Sequence, residues 1–256
     1  MARFFLRLAN SLLNFVIIIS LLLAGTYAGY ALWDNNQVYA AASNVQADMI
    51  KLKPILTENE DEGASFEELL AINKDVCAWV TVDNTNIDFP ILQGETNLTY
   101  INRDVYGNFA LAGSIFLDSR NDKGFHDIVS LLYGHHMDQS DMFGDLDKYK
   151  DETFFKENTT GLLILPDRSY DLEIFACILT DASNDAIFEP QEYKADINKL
   201  IRLTEQEGLH YNADKLEELK KTNGQRQILV LSTCSTEFTD ARTIVLAEMK
   251  PHGNAK

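Results

Sequence analysis

Cys234 closes an apolar, β-rich run, Ile228-Leu-Val-Leu-Ser-Thr-Cys234, so it sits at a strand's exit rather than inside the strand. A nucleophile at such an edge is held rigidly and is still reachable. Eight residues on, Arg242 opens the next β-rich run, Thr243-Ile-Val-Leu. Two adjoining strands would bring both side chains to one rim. A guanidinium beside a thiol favours the thiolate and can donate hydrogen bonds to an oxyanion forming on an attacked carbonyl. A third run, Ser130-Leu-Leu-Tyr, breaks at Gly134 and is followed by His135. If the two strand ends converge, a Cys–His pair can form a thioacyl intermediate. The imidazole would protonate the leaving amine and then deprotonate the incoming nucleophile. Taken singly, each residue has a plainer reading: a cysteine at a strand end is ordinarily inert, and a lone Arg or His there usually faces water.

These residues need β-structure to hold them. From Ala78 onward the chain is rich in β-formers, beginning with Trp79, Val80, Val82, Ile87, Phe89 and Ile91 around the turn Asp83-Asn84-Thr85-Asn86. Further strand candidates are 112–117, 128–133, 161–165, 169–180, 227–233 and 243–249. Many short strands separated by turns predict a mainly β fold, a closed or nearly closed barrel. The exception is 191–221, where Tyr193, Ile197, Leu200, Ile201, Leu203, Leu216 and Leu219 follow helical spacing, a helical insert ahead of the cysteine strand. Upstream, Ser65-Phe66-Glu67-Glu68 reads as a capping box opening a short helix through Leu69, Leu70 and Ile72.

The 256 residues are 46% hydrophobic and 24% charged, an ordinary globular composition with enough chain for a substantial core. Asp and Glu (39) outnumber Lys and Arg (22), a net charge of -17 that would repel nucleic acid. Three cysteines do not make a disulfide framework, although a Cys77–Cys177 bridge remains open.

The N-terminus carries Arg3 and Arg7, then a charge-free run from Leu8 to Trp33. About 20 residues of helix cross a bilayer core, so 8–33 is expected to be a transmembrane signal anchor, with a cleaved signal peptide as the alternative. Positive residues stay inside. That places 1–7 in the cytoplasm, 34–64 as a juxtamembrane helical linker broken by the acidic stretch 57–63, and 65–256 as an external domain.

Several motifs taken together carry a resemblance. Leu231-Ser232-Thr233-Cys234 followed by Arg242, with Tyr133-Gly134-His135 about a hundred residues upstream, is similar to a sortase, a membrane-anchored cysteine transpeptidase of Gram-positive bacteria. Asn86-Ile-Asp-Phe-Pro-Ile-Leu-Gln-Gly, Tyr106-Gly-Asn, Ala112-Gly-Ser-Ile-Phe-Leu-Asp and Met142-Phe-Gly-Asp-Leu resemble class B members, as do the insert and the N-terminal anchor. The likeness covers roughly 66–250. It implies a sortase β-barrel with catalytic Cys234, His135 as general acid and base, and Arg242 positioning substrate and stabilising the oxyanion. It also implies that Tyr133, Ser232 and Thr233 bind substrate; no cofactor and no metal site is assigned, and metal dependence is left open. The implied substrates are secreted proteins with a C-terminal sorting motif. The acceptor would be an amine of lipid II or the peptidoglycan cross-bridge, or alternatively a pilin lysine. His136 adjoins His135, and the Gly-His context favours His135.

Other classes fit less well. L,D-transpeptidases have Gly immediately before the cysteine and Arg or Asn two residues after it, where this chain has Thr233 and Thr236. Papain-like hydrolases place the cysteine before the histidine. The group His135, His136, Asp138 and Asp141 matches no metal spacing. A non-catalytic adhesin or pilus accessory protein, with Cys234 a buried bystander, is the nonenzymatic alternative.

Overall fold

The computed structural model describes residues 2–55, 66–137, 141–193, 197–222, 226–234 and 240–253. The chain divides into two compact units, Met1–Ala41 and Ala42–Lys256. A single helix, α1 (Ala2–Ile50), supplies the described part of the first unit and opens the second. In the first unit its apolar side chains, among them Leu12, Phe15, Ile18 and Leu22, are exposed, and the helix is long and apolar enough to cross a membrane.

In the second unit nine described strands are β1 (Val76–Val82), β2 (Asp88–Leu92), β3 (Ile115–Leu117), β4 (Val129–Tyr133), β5 (Thr160–Ile164), β6 (Ser169–Asp181), β7 (Gly208–Tyr211), β8 (Gln227–Cys234) and β9 (Ala241–Pro251). They are ordered β5-β1-β2-β3-β4-β8-β9-β6-β7, and β5 also pairs with β6. That pairing closes eight strands into a barrel and removes the open edges a flat sheet would expose. The long β6 serves both neighbours: Ser169–Glu173 pairs with β5, and Ala176–Ile178 pairs with β7. β7 therefore lies outside the ring.

Alternation sorts the strand residues. Val129 and Leu131 of β4, Ile228 and Val230 of β8, and Ile244 and Leu246 of β9 pack with Tyr193, Leu200, Ile201, Leu216 and Leu219 of the insert. The intervening Leu229, Leu231, Val245 and Ala247 are also fully buried, so both faces of these strands are dry, at about 1.5–3 kcal/mol for each large apolar side chain removed from water. The insert contains α4 (Asp185–Phe188), α5 (Asn198–Glu207) and α6 (Ala213–Lys221). Asn184 caps α4 and Asn212 caps α6, each accepting a backbone N–H.

Several expectations change. The insert is not wholly helical, since β7 lies between α5 and α6. Four residues beginning at Gly208 show no period long enough to reveal a strand, and pairing with β6 alone creates it. β3 is shorter than 112–117 because the turn at Gly113, with φ of 60°, delays it. Residues 35–50 continue α1 without a break, and the second compact unit begins at Ala42. Val45 and Met49 pack with Phe66, Leu69, Trp79 and Leu92, and Lys53 pairs with Asp88 at 2.9 Å. The short helix is α2 (Glu67–Ile72), and Phe66 at its N-cap makes no side-chain capping bond. Ser65 and the acidic stretch 57–63 lie outside the described residues. Cys77 and Cys177 are separate buried thiols. Cys77 donates to the Ile91 carbonyl at 3.4 Å, at a point where the β1–β2 register shifts between Val76 and Ala78. His210 is half-buried; it rests against the Phe155 ring and bonds the Lys150 carbonyl at 2.8 Å.

The break after β4 has a steric cause. A Cβ on Gly134 would come within 2.5 Å of Ile115 Cδ1 and 2.6 Å of the ring of Phe143, which is fully buried. Only glycine lets the chain leave β4 so close to these side chains. We expect Gly134→Ala to lower unfolding free energy by about 1–3 kcal/mol, the usual cost of overpacking, read from the chemical denaturation midpoint. An unchanged midpoint would show that the Phe143 ring yields freely.

Candidate active site

The register of three strands assembles the site. β4 and β8 run parallel, and Tyr133 pairs with Ser232. Parallel strands leave a sheet on the same side, so His135 and Cys234, each two residues further along, emerge together. The Gly134 amide donates to the Ser232 carbonyl at 3.1 Å, carrying the pairing one residue past the end of β4. β8 and β9 run antiparallel with Cys234 directly opposite Arg242, and Arg242 is flanked on its other side by Thr180 of β6. The Cys234 side chain lies outside the described residues.

Beside this edge is a groove of about 390 Å³. All five other predicted site residues line it: Tyr133, His135, Ser232, Thr233 and Arg242. His136 does not. It turns away to Asp147, at 3.0 Å, and pairs through its backbone with Met142. The His135 Nε2 lies 2.6 Å from the Ile101 carbonyl. A carbonyl only accepts, so Nε2 carries a proton and a neutral ring keeps its lone pair on Nδ1. The ring is thereby oriented by backbone, and no carboxylate among the described residues bonds to it.

The two arginines of the groove differ electrically. The Arg242 guanidinium donates to the Ala241 carbonyl at 2.9 Å and has no carboxylate within ion-pair distance among the described residues. Its charge is available to a ligand. Arg120 is already paired with Asp118 and Glu189. The Thr233 hydroxyl is buried at the groove floor and has no hydrogen-bond partner among the described residues. Ser232, also among the lining residues, is 2% exposed.

Tyr133 lies between two aromatic rings, with centroids 5.2 Å from Phe116 and 6.3 Å from Phe188, the latter nearly parallel. Its hydroxyl donates to Asp118 at 3.0 Å. Burial first, and then the neighbouring Asp118 charge, push the phenol pKa upward, so it remains a neutral donor. Reasoning from sequence missed Asn97, Leu98, Ile101, Phe116, Arg120, Ala182 and Phe188 on the groove walls. Most come from the β2–β3 connection and from the segment after β6, whose irregular backbone has no period to read. Asp118 and Arg120 did carry a signal: an acid and a base spaced i, i+2 directly after the apolar strand β3.

A Sortase domain family model matches residues 80–250. The chain is 30% identical over 227 residues to Sortase B of Listeria monocytogenes, covering 88% of this chain and 89% of that one. Among solved structures, a class B sortase of Streptococcus pyogenes involved in pilus biogenesis is 39% identical with a TM-score of 0.65, covering 73% of this chain and 98% of that one. A Staphylococcus aureus sortase B–substrate complex is 26% identical with a TM-score of 0.64, covering 84% and 95%. The closed barrel and these matches together show that the chain belongs to the sortase family of cysteine transpeptidases, among its class B members.

Proposed function

We propose that this sortase cleaves a C-terminal sorting motif of secreted surface proteins and passes the acyl group to an amine of the peptidoglycan precursor, using Cys234, His135 and Arg242. One observation carries the reading: the strand pairings bring these three positions to a single barrel end, beside a groove lined by His135 and Arg242. In the proposed mechanism the Cys234 sulfur attacks the scissile carbonyl. The resulting oxyanion accepts hydrogen bonds from the Arg242 guanidinium, which has no carboxylate within ion-pair distance among the described residues. The His135 imidazolium gives a proton to the departing amine as the C–N bond breaks, leaving a thioester. The acceptor amine loses a proton to His135 and attacks the thioester. A new amide forms as the C–S bond breaks, and Cys234 leaves as the thiolate beside the His135 imidazolium. Tyr133, Ser232 and Thr233 hold the peptide, with the buried Thr233 hydroxyl a ready partner for a backbone group.

A second acceptor has its own support. The pilus-biogenesis relative, at 39% identity, exceeds the 26–30% of the other relatives described, which favours a pilin lysine as the alternative nucleophile. For location, α1 supports a single-pass anchor over 8–33. With Arg3 and Arg7 retained inside, 1–7 would be cytoplasmic and the domain after the 34–64 linker would face the cell wall.

Iodoacetamide at neutral pH should modify Cys234 alone in the folded protein. Cys77 and Cys177 are buried, and burial pushes the Cys77 thiol pKa up to about 12, leaving almost no thiolate. First labelling at Cys77 or Cys177, with Cys234 inert, would favour the non-catalytic alternative.

Incubation with sorting-motif peptides and either a lipid II cross-bridge amine or a pilin subunit, read by mass spectrometry, should give one ligated product. A product confined to the pilin would replace the cell-wall acceptor. Cys234→Ala should abolish ligation, and His135→Ala and Arg242→Ala should each cost about 100-fold or more in turnover with the melting transition retained. Full activity in Arg242→Ala would overturn its role.

A further inference from the structure

Asp118 is fully buried and surrounded by donors that belong to the groove. Its Oδ2 accepts from Asn97 Nδ2 at 2.9 Å, Tyr133 OH at 3.0 Å and Arg120 Nη2 at 2.8 Å. Its Oδ1 accepts from Arg120 Nε and from the Arg120 amide, both at 2.9 Å. The Ser119 amide donates to Asn97 Oδ1 at 2.7 Å, so both ends of the Asn97 amide are held. Arg120 then reaches across the groove. Its Nη2 donates to the Phe188 carbonyl at 2.6 Å and its Nη1 to Glu189 at 2.7 Å, while the Gln191 side chain donates back to the Arg120 carbonyl.

Two walls are thus tied through the ion pairs of Arg120 with Asp118 and Glu189. One wall is the β2–β3 connection with Asn97; the other is the end of α4 with Phe188, whose ring stacks on Tyr133. Burial raises the Asp118 pKa, but hydrogen bonds from Arg120 and Asn97 outweigh it and hold the carboxyl below its ordinary range. The folded pKa is depressed, so the tie persists at neutral pH and weakens only in acid.

We infer that Asp118 and Arg120 are positioning residues that set the width and aromatic lining of the peptide groove, and so govern substrate affinity rather than the chemical step. This rests on the sortase reading above. A salt bridge serving stability alone would not need three of its partners to line the groove. Here Asn97, Tyr133 and Phe188 all do. Lysine at 120 keeps the charge but lacks the planar fork needed to reach Asp118, Glu189 and the Phe188 carbonyl together. Glu189→Gln weakens only the tie to α4.

The test uses the full chain in detergent, with synthetic peptides spanning the C-terminal sorting motifs of the host's own secreted proteins. We expect Arg120→Lys to raise KM about tenfold, as the loss of one charge-assisted hydrogen bond would. The kcat, and the rate and pH profile of Cys234 alkylation by iodoacetamide, should stay at wild-type values. Glu189→Gln should raise KM less, at an unchanged melting temperature. Wild-type cleavage with unaltered KM in both variants would overturn the inference alone, as would kcat and alkylation falling in step with KM. No cleavage by the wild type would overturn the activity reading and the inference with it.

Discussion

The parallel pairing of β4 with β8 is the constraint on which the site depends. Tyr133 opposite Ser232 requires that the segments beyond them, each two residues longer, leave the sheet on the same side and at the same level. A slip of one residue would turn every alternate side chain of one strand to the other face. The slip is opposed by what both faces bury. Val129 and Leu131 with Ile228 and Val230 meet the insert helices, while Leu229 and Leu231 are buried on the opposite face. The packing that stabilises the barrel therefore also fixes the spacing of the proposed catalytic groups.

Within that frame the groove distinguishes charges by whether they are already satisfied. Arg120 has its carboxylates, and Arg242, on the neighbouring strand edge, has none among the described residues. In a chain of net charge -17, a guanidinium without a carboxylate partner next to a predicted nucleophile is electrostatically conspicuous. The His135 ring is likewise held by the Ile101 carbonyl and adds no fixed negative charge to the groove.

The start of the catalytic unit follows the same economy of packing. Val45 and Met49 of α1 fill a cluster with Trp79 and Leu92, and Lys53 joins Trp79 and Thr81 on Asp88. The C-terminal part of α1, from Ala42, thus belongs to the core of the second unit. Its thin apolar face, read alone, suggests a linker, because a helix that buries only a few residues looks much like one that buries none.

Local sequence was enough for most of the barrel. Eight strands follow from β-branched and apolar runs, and Cys234, His135 and Arg242 stand out because each sits at the edge of such a run, where chain geometry limits how a side chain can be presented. Only the tertiary structure decided the rest. β7 exists because β6 offers it hydrogen bonds, Gly134 is required because Phe143 and Ile115 press on it, and Asp118 matters because Asn97, Tyr133 and Arg120 converge on it from separate segments. Periodicity records which face of an element is buried. It does not record which distant residues will meet there, since pairings between segments far apart in the chain are set by the closed sheet as a whole.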